Sequence, residues 1–524
     1  MLSSSKEKKR AATALPKRAE GGASSDSRYD AIVVGSGIGG LTCGAFLARA
    51  GLKVLVLETH AKIGGYAHSF KRRSFTFESA IHSVPMAGHG IVRHMLRLLG
   101  VDDTIETIEL PEMYRVAAPG TELIMPSRDQ EIIESLTRNF PSETADIDAL
   151  LNDMRRFHEI IEKPVFDFEQ RFVPEDVEFA SKYHNRSYEN YLDGFLRDPR
   201  LKFLFGGQWP YGGTSPESAP TLFFALMYML HFLEGSHSLK GGFAMLAEAL
   251  AAAITRRGGT VKTRSKVVEL ITGNGRVRAA RCASGEEYTA DLFVSNISPY
   301  IVHRELLPER DRSKLFLRRL SNLNPSVSSV SVYLGMKPGF EEIIPGNITF
   351  WFDHMDFSRI YRGILHNDKS EIDHLVLLRS GHFADHPTLT LMNFTRKDCS
   401  GNWKEDKQAL ADRLLAKMAR LYPELPQYVE LTVAGSPATF ERYTANTDGA
   451  LYGFENTKNM YGEAKIPVRT HLPNLYQAGH WGKPGGGVHN VMVNSYITYH
   501  MIRQDHLLGN ASGVSYPRAA RNAG

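Results

Sequence analysis

The chain has 524 residues, of which 42% are hydrophobic and 10% aromatic, with 45 glycines and a formal net charge of +4. It is long enough to build two or three lobes, and its composition is that of a soluble globular protein. Residues 1–28 hold seven basic side chains (Lys6, Lys8, Lys9, Arg10, Lys17, Arg18, Arg28) against three acids (Glu7, Glu20, Asp26), which accounts for the whole +4. The remainder is formally neutral, which excludes nucleic-acid binding by the folded part.

That first segment is rich in Ser, Ala, Lys and Gly and has no apolar core of the kind a secretory signal needs. Its composition reads as a disordered basic tail, with a transit peptide or a membrane-surface tether as the alternatives. Cys43, Cys282 and Cys399 are far apart, odd in number and without CxxC spacing, which argues against disulfides, a zinc site or a redox dithiol. The expectation is an intracellular, cytoplasmic setting, with membrane association or organellar import left open.

Tyr29 to Val34 is a short apolar run that reads as a buried parallel strand. Gly35-Ser36-Gly37-Ile38-Gly39-Gly40 follows at once and opens a helical segment ending at Gly51. A second buried strand, LKVLVLE, ends in Glu58. Gly35 permits the tight turn, Gly37 lets backbone approach a pyrophosphate, and Gly40 lets helix and strand pack closely. The helix N-terminus attracts the diphosphate, and Glu58 is placed to accept hydrogen bonds from ribose hydroxyls. A carboxylate there also disfavours a 2′-phosphate.

The strand–glycine–helix unit does not by itself separate FAD from a nicotinamide cofactor. The following residues do so. THAKIGGYAHSF brings Gly64, Gly65 and Ser69 just after Glu58, and FTFESAIHSV (Phe75 to Val84) comes next. Here the sequence resembles the phytoene desaturase, carotenoid isomerase and retinol saturase family of flavoproteins. The resemblance continues through the turn Ser238 to Phe243 and the strand region holding Val267 and Val268. It extends to ADLFVSNISP (Ala290 to Pro299) and to NLYQAGHWGKPGGGVHNVMVNSYI (Asn474 to Ile497).

The resemblance implies an α/β fold: a Rossmann-type FAD-binding domain of the two-dinucleotide-binding, amine-oxidase-like kind, with an inserted α+β substrate lobe. FAD would then be held by Gly35, Gly37, Ile38, Gly39, Gly40, Glu58, Gly64, Gly65, Ser69, His82, Val268, Gly479, His480, Gly486, Gly487 and Val488. Two departures from the family stand out. His480-Trp481 follows Ala478-Gly479 where an Asp is common, and Asn494-Ser495-Tyr496 replaces smaller residues, putting a tyrosine near the flavin edge. His82, His480, His489 and Tyr496 are the candidates for catalysis. No metal is implied.

The flavin motifs fall in blocks 29–110, 235–300 and 435–510, which leaves 111–234 and 301–434 for the substrate lobe and 511–524 as a flexible end. Residues 128–234 are mostly helical in pattern, and 301–434 mixes strand-like runs with a helix at Trp403 to Leu421. The most apolar run, Ala219 to Leu233, is shorter than the roughly 18 residues of a membrane span and contains His231. It suits a core helix or the wall of a tunnel.

One complete dinucleotide unit is present, and GNGRVR at Gly273 lacks the third glycine, so a second site for a nicotinamide is not expected. The expected substrate is a long apolar or polyene molecule, with peripheral membrane contact and with oxygen or a quinone as electron acceptor. The expected reaction is desaturation, saturation or double-bond isomerisation. An amine-oxidase-like or tailoring oxidase and a catalytically silent flavin scaffold are the alternatives.

Overall fold

A computed structural model describes residues 28–166, 172–366, 372–380, 386–460 and 464–506. All of the basic tail except Arg28 lies outside these residues, as does 511–524. Arg28 itself pairs with Asp291 at 3.6 Å, at the edge of the folded body.

At the centre of the first layer is a five-stranded, wholly parallel sheet in the order Thr260–Lys262, Val54–Leu57, Ala31–Val34, Leu292–Ser295, Leu475–Gln477. Ala31–Val34, Val54–Leu57 and Leu292–Ser295 are buried along their whole length, as parallel strands sandwiched between helices must be. Helices Ile38–Arg49, Ala244–Thr255 and Val488–His506 pack on one face through Phe46, Leu250, Tyr496 and Tyr499. The antiparallel meander Val267–Gly273, Arg276–Cys282, Glu287–Thr289 covers the other face. The fold is the Rossmann-type FAD fold read from the sequence.

A second layer is a seven-stranded mixed sheet in the order Val429–Gly435, Ser328–Met336, Thr388–Thr395, His374–Ser380, Ile348–Phe352, Glu112–Ala118, Thr121–Pro126. Its last two strands form a hairpin joined in parallel to Ile348–Phe352, a pairing of positions more than 200 residues apart in the chain. Helices Thr144–Phe166, Tyr188–Asp193, Pro199–Gly206 and Thr221–Glu234 share one aromatic-rich core with this sheet. Thr221–Glu234 is apolar on nearly all sides because it lies inside that core and along a cavity wall. Among the described residues, no helix is long and apolar enough to cross a membrane. Cys43, Cys282 and Cys399 are all buried.

Candidate functional site

A cavity of about 490 Å³ runs along the carboxyl ends of the parallel strands, where open α/β sheets bind ligands. Its wall begins at the first glycine turn. Gly35, with φ +96°, makes the strand-to-helix turn, and Gly35, Gly37, Ile38 and Gly39 line the cavity. Gly40 lies behind them. A Cβ there would sit 2.1 Å from the carbonyl oxygen of Gly35, so this position is closed to any other residue. Gly37 bridges Gly64, and the Gly64 amide donates to Ser36 O at 2.9 Å, which docks the Gly64-Gly65 turn onto the first loop.

Glu58 directly follows the strand Val54–Leu57 and stands on the cavity wall. Its Oε2 accepts from the Ser36 amide (2.9 Å) and hydroxyl (2.6 Å), and its Oε1 accepts from the His60 amide (2.7 Å). The carboxylate therefore organises the glycine turn as well as facing the cavity. Asn296, which the motif reading passed over, follows the strand Leu292–Ser295 and stands in the same crevice. Cβ atoms at Gly37 and Gly39 would lie 2.7 Å and 2.5 Å from its amide atoms. Its position directly after a quoted motif strand was the signal that could have found it.

Gly486, Gly487, Val488 and His489 close the cavity at the start of the last long helix. Gly479 is one step back, packed where a Cβ on Gly39 would meet its Cα at 2.7 Å, and its amide donates to Asn494 Oδ1 at 2.7 Å. Asn494 also donates to Lys483 O at 2.7 Å, so this departure from the family pattern holds the 479–483 loop in place.

Three residues expected at the site from the sequence lie off the cavity wall. Val268 is 41% exposed, whereas its neighbour Val267 is buried and lines the cavity together with Lys266. Alternate residues of a strand face opposite ways, so the contact shifts by one position. Tyr496 is not on the cavity wall but buried behind the first helix, its ring 4.7 Å from that of Phe46, so it does not narrow the site. Ser69 is also off the wall and donates to Glu78 Oε1 at 3.0 Å within the hairpin Ser69–Arg72, Phe75–Glu78. Burial pushes that glutamate up to about 8.

His82, His480 and His489 are brought to the same cavity. Burial drives His82 down to about 3, and His480 and His489 to about 4, so all three are neutral near pH 7. They can orient a ligand or share a hydrogen bond, but they do not carry a stored proton there. His82 stacks on Tyr211, with ring centroids 6.0 Å apart. His480 Nε2 lies 2.9 Å from Asn446 Oδ1, which also accepts from Trp481 Nε1 at 2.9 Å. Lys465, not singled out from the sequence, is buried just behind the glycine turn. Its Nζ donates to Asn456 Oδ1 (2.5 Å) and Pro484 O (3.2 Å), and burial lowers it to about 7.

The rest of the wall comes from the second layer: Tyr211, Phe223, Met227, Leu230, His231 and Met392, with Tyr66 and Tyr452 beside them. None of these is an acid, a lysine or an arginine. The charged wall residues Glu58, Lys62, Lys266, Glu441 and Arg442 come from other segments.

The model of the flavin containing amine oxidoreductase family matches residues 38–493. The chain belongs to that family. It is an FAD-dependent oxidoreductase. It is 26% identical over 506 residues to an all-trans-retinol 13,14-reductase of Rattus norvegicus, covering 86% of this chain and 82% of that one. It is 24% identical over 508 residues to a chloroplastic prolycopene isomerase of Daucus carota, covering 91% and 80%. These relatives carry the carotenoid and retinoid resemblance read from the motifs. An oxidoreductase of Methanosarcina mazei, 15% identical, shares the fold with a TM-score of 0.63 over 90% of this chain and all of that one.

The cavity fits the cofactor this family carries. Its floor is bare backbone at Gly35, Gly37 and Gly39, at positions where a Cβ would strike neighbouring atoms at 2.5–2.8 Å. A carboxylate stands at the end of the second strand, as a dinucleotide's ribose requires.

Proposed function

We propose that this enzyme acts on carbon–carbon double bonds of a long apolar polyene of the carotenoid or retinoid class. The observation that carries this reading is the uncharged wall formed by Tyr211, Phe223, Met227, Leu230 and Met392, continuous with the glycine-lined crevice. An ammonium substrate would lose its hydration there without gaining a carboxylate partner, at a cost of several kcal/mol. A polyene loses nothing by leaving water, and burial of its surface contributes about 25 cal/mol per Å².

In this reading Gly35, Gly37, Ile38 and Gly39 take the diphosphate and Glu58 the ribose. Gly64 and Gly65 dock the first loop, Val267 covers the adenine, and Gly486 to Val488 lie under the ring system. Segments 29–110, 235–300 and 435–510 hold the cofactor, and 111–234 and 301–434 wall the substrate. When bound, FAD supplies hydride acceptance and donation at its ring. The protein's own residues bind the polyene, exclude water and set which double bond faces the ring. Neutral His82 and His480 orient it by hydrogen bonding or stacking.

The named relatives, a reductase and an isomerase, support two outcomes, gain of two hydrogens or no net change, and loss of two is the third that the reading includes. In an oxidation, electrons would pass to oxygen or a quinone. The substrate's solubility calls for peripheral contact with a membrane. Phe172, Val173 and Val177, all about half exposed within six residues, support such contact.

The test is to incubate FAD-loaded protein with carotenoids and retinoids in detergent, and separately with aliphatic amines. A polyene whose mass changes by two hydrogens, or whose retention and absorbance shift at constant mass, is the expected result. Amine-dependent peroxide formation with every polyene unchanged would overturn it.

A further inference from the structure

We propose that His158, Glu162 and Glu234 form a binding site for one divalent transition-metal ion of the zinc, iron(II) or manganese class, separate from the flavin cavity. One ligand atom from each lies within 4.8 Å of the other two. His158 and Glu162 are four residues apart on the helix Thr144–Phe166 and so share one face of it. Glu234 is the last residue of Thr221–Glu234, the helix that supplies Phe223, Met227 and Leu230 to the cavity wall.

The donors are built in. His158 is 5% exposed and Glu234 2%. His158 Nε2 lies 3.3 Å from Glu162 Oε1, close to the separation of about 3.4 Å between two ligands on a tetrahedral zinc with bonds near 2.1 Å. Yet neither His158 Nε2 nor Glu234 Oε2 has a hydrogen-bond partner. The other oxygen of Glu234 accepts from the Ile91 amide at 3.4 Å, at the start of the helix Ile91–Leu99, which fixes the carboxylate beside Gly90. An outer hydrogen bond of this kind orients metal-binding carboxylates. The approach depends on Gly90, where a Cβ would lie 1.8 Å from Glu234 Oε2.

Charge points the same way. Two carboxylates meet in a largely dry site, and no cationic side chain among the described residues offsets them. The nearest lysine on the same helix, Lys163, is paired with Asp176 at 2.7 Å instead. Burial accordingly pushes Glu234 up to about 8 and Glu162 up to about 7, each charge being costly without a partner. Burial holds His158 down at about 4, in the unprotonated form a metal requires. One nitrogen and two carboxylates suit zinc, iron(II) or manganese. They offer no thiolate for copper(I) and too few oxygens for calcium. Glu162, 28% exposed, leaves a route of entry. A bound ion would tie the end of the cavity-lining helix to Thr144–Phe166.

The test uses FAD-loaded full-length protein treated with chelator and then titrated with zinc or cobalt(II), followed by calorimetry and by the visible bands of cobalt. One equivalent should bind, with cobalt bands of four- or five-coordinate intensity. Both Glu234→Gln and Glu162→Gln should weaken binding by more than about 100-fold, beyond the 10–100-fold typical of lost outer partners. Glu162 is partly exposed, so Glu162→Gln keeps the fold testable should Glu234→Gln misfold, and an unchanged flavin spectrum marks each variant as folded. No binding by the wild-type protein, or equal binding by a folded variant, would overturn the proposal and assign the cluster to a shared proton.

Discussion

The two walls of the cavity are built by opposite means. On the cofactor side, backbone does the work: Gly35, Gly37, Gly39 and Gly40 sit where a Cβ would strike atoms at 2.1–2.8 Å. On the substrate side, side chains do it, through Tyr211, Phe223, Met227, Leu230 and Met392. A backbone wall tolerates almost no substitution, because a new Cβ cannot move away. A wall of flexible and aromatic side chains can change shape while keeping its polarity. In the proposed reading, the first kind fixes which cofactor binds and the second decides which substrate does.

The largest expected effect of breaking this contrast is at Gly37. Gly37→Val should yield protein without flavin, read as loss of the yellow absorbance in purified material, since the new side chain meets Asn296 at 2.7 Å. Retained flavin at full occupancy would show that the crevice is less rigid than its contacts imply. Met227→Lys, on the other wall, should leave flavin content unchanged while lowering kcat/KM for a polyene by at least about tenfold, through a charge with no partner in an apolar wall. Parallel loss of flavin would mean the two walls are not separable.

Glu58→Ala removes the acceptor of the Ser36 amide and hydroxyl and should weaken FAD by about 1–3 kcal/mol, measured by flavin fluorescence on titration of apoprotein. Unaltered affinity would count against its ribose role.

The pH dependence sharpens the comparison, because buried histidines line both walls. His82 and His231 are driven to about 3, and His480 and His489 to about 4, all below the unfolded value of 6.5. Between about pH 4 and 6.5 the unfolded chain binds more protons, so stability is full above about 6.5 and is lost as pH falls toward 4. Glu78 and Glu234, raised to about 8, and Glu162, raised to about 7, act in the opposite direction, with stability present below 4.5 and lost as pH rises toward those values. The histidines, with His158 at about 4 among them, outnumber the glutamates, so the thermal midpoint should climb from pH 4.5 to 6.5, and turnover should show no histidine inflection between pH 6 and 8. A midpoint flat or falling over that interval would contradict their burial.

The smallest effect belongs to Val268→Ala. Its side chain is exposed, so stability should change by less than about 0.5 kcal/mol by denaturant melts and flavin affinity should stay as it was. Val267→Ala, one residue away on the cavity side, should lower affinity measurably.

The chain's local order determined the cofactor crevice. A strand, three well-spaced glycines, a helix and Glu58 are contiguous within about 30 residues, and the turn at Gly35 and the packing of Gly40 on the Gly35 carbonyl are local, although Asn296 and Gly479 complete the closure at Gly37 and Gly39. The same holds for the helix Trp403–Leu421 and for the strands within 328–395, whose periodicity is local. Tertiary structure decided everything that depends on which distant segments meet. The hairpin Glu112–Ala118, Thr121–Pro126 joins a sheet whose other strands lie beyond residue 327, a pairing no local pattern encodes. Tyr496 sits in the right motif yet faces Phe46 rather than the cavity, because one step along a helix turns a side chain by about 100°. Asn296, Tyr211 and Lys465 reach the site from three separate regions, and His158 and Glu162 meet Glu234 across 72 residues of chain. Spacing along the chain carries information only where the contact is local. Where the contact is made by packing, burial and charge become visible only once the core has closed.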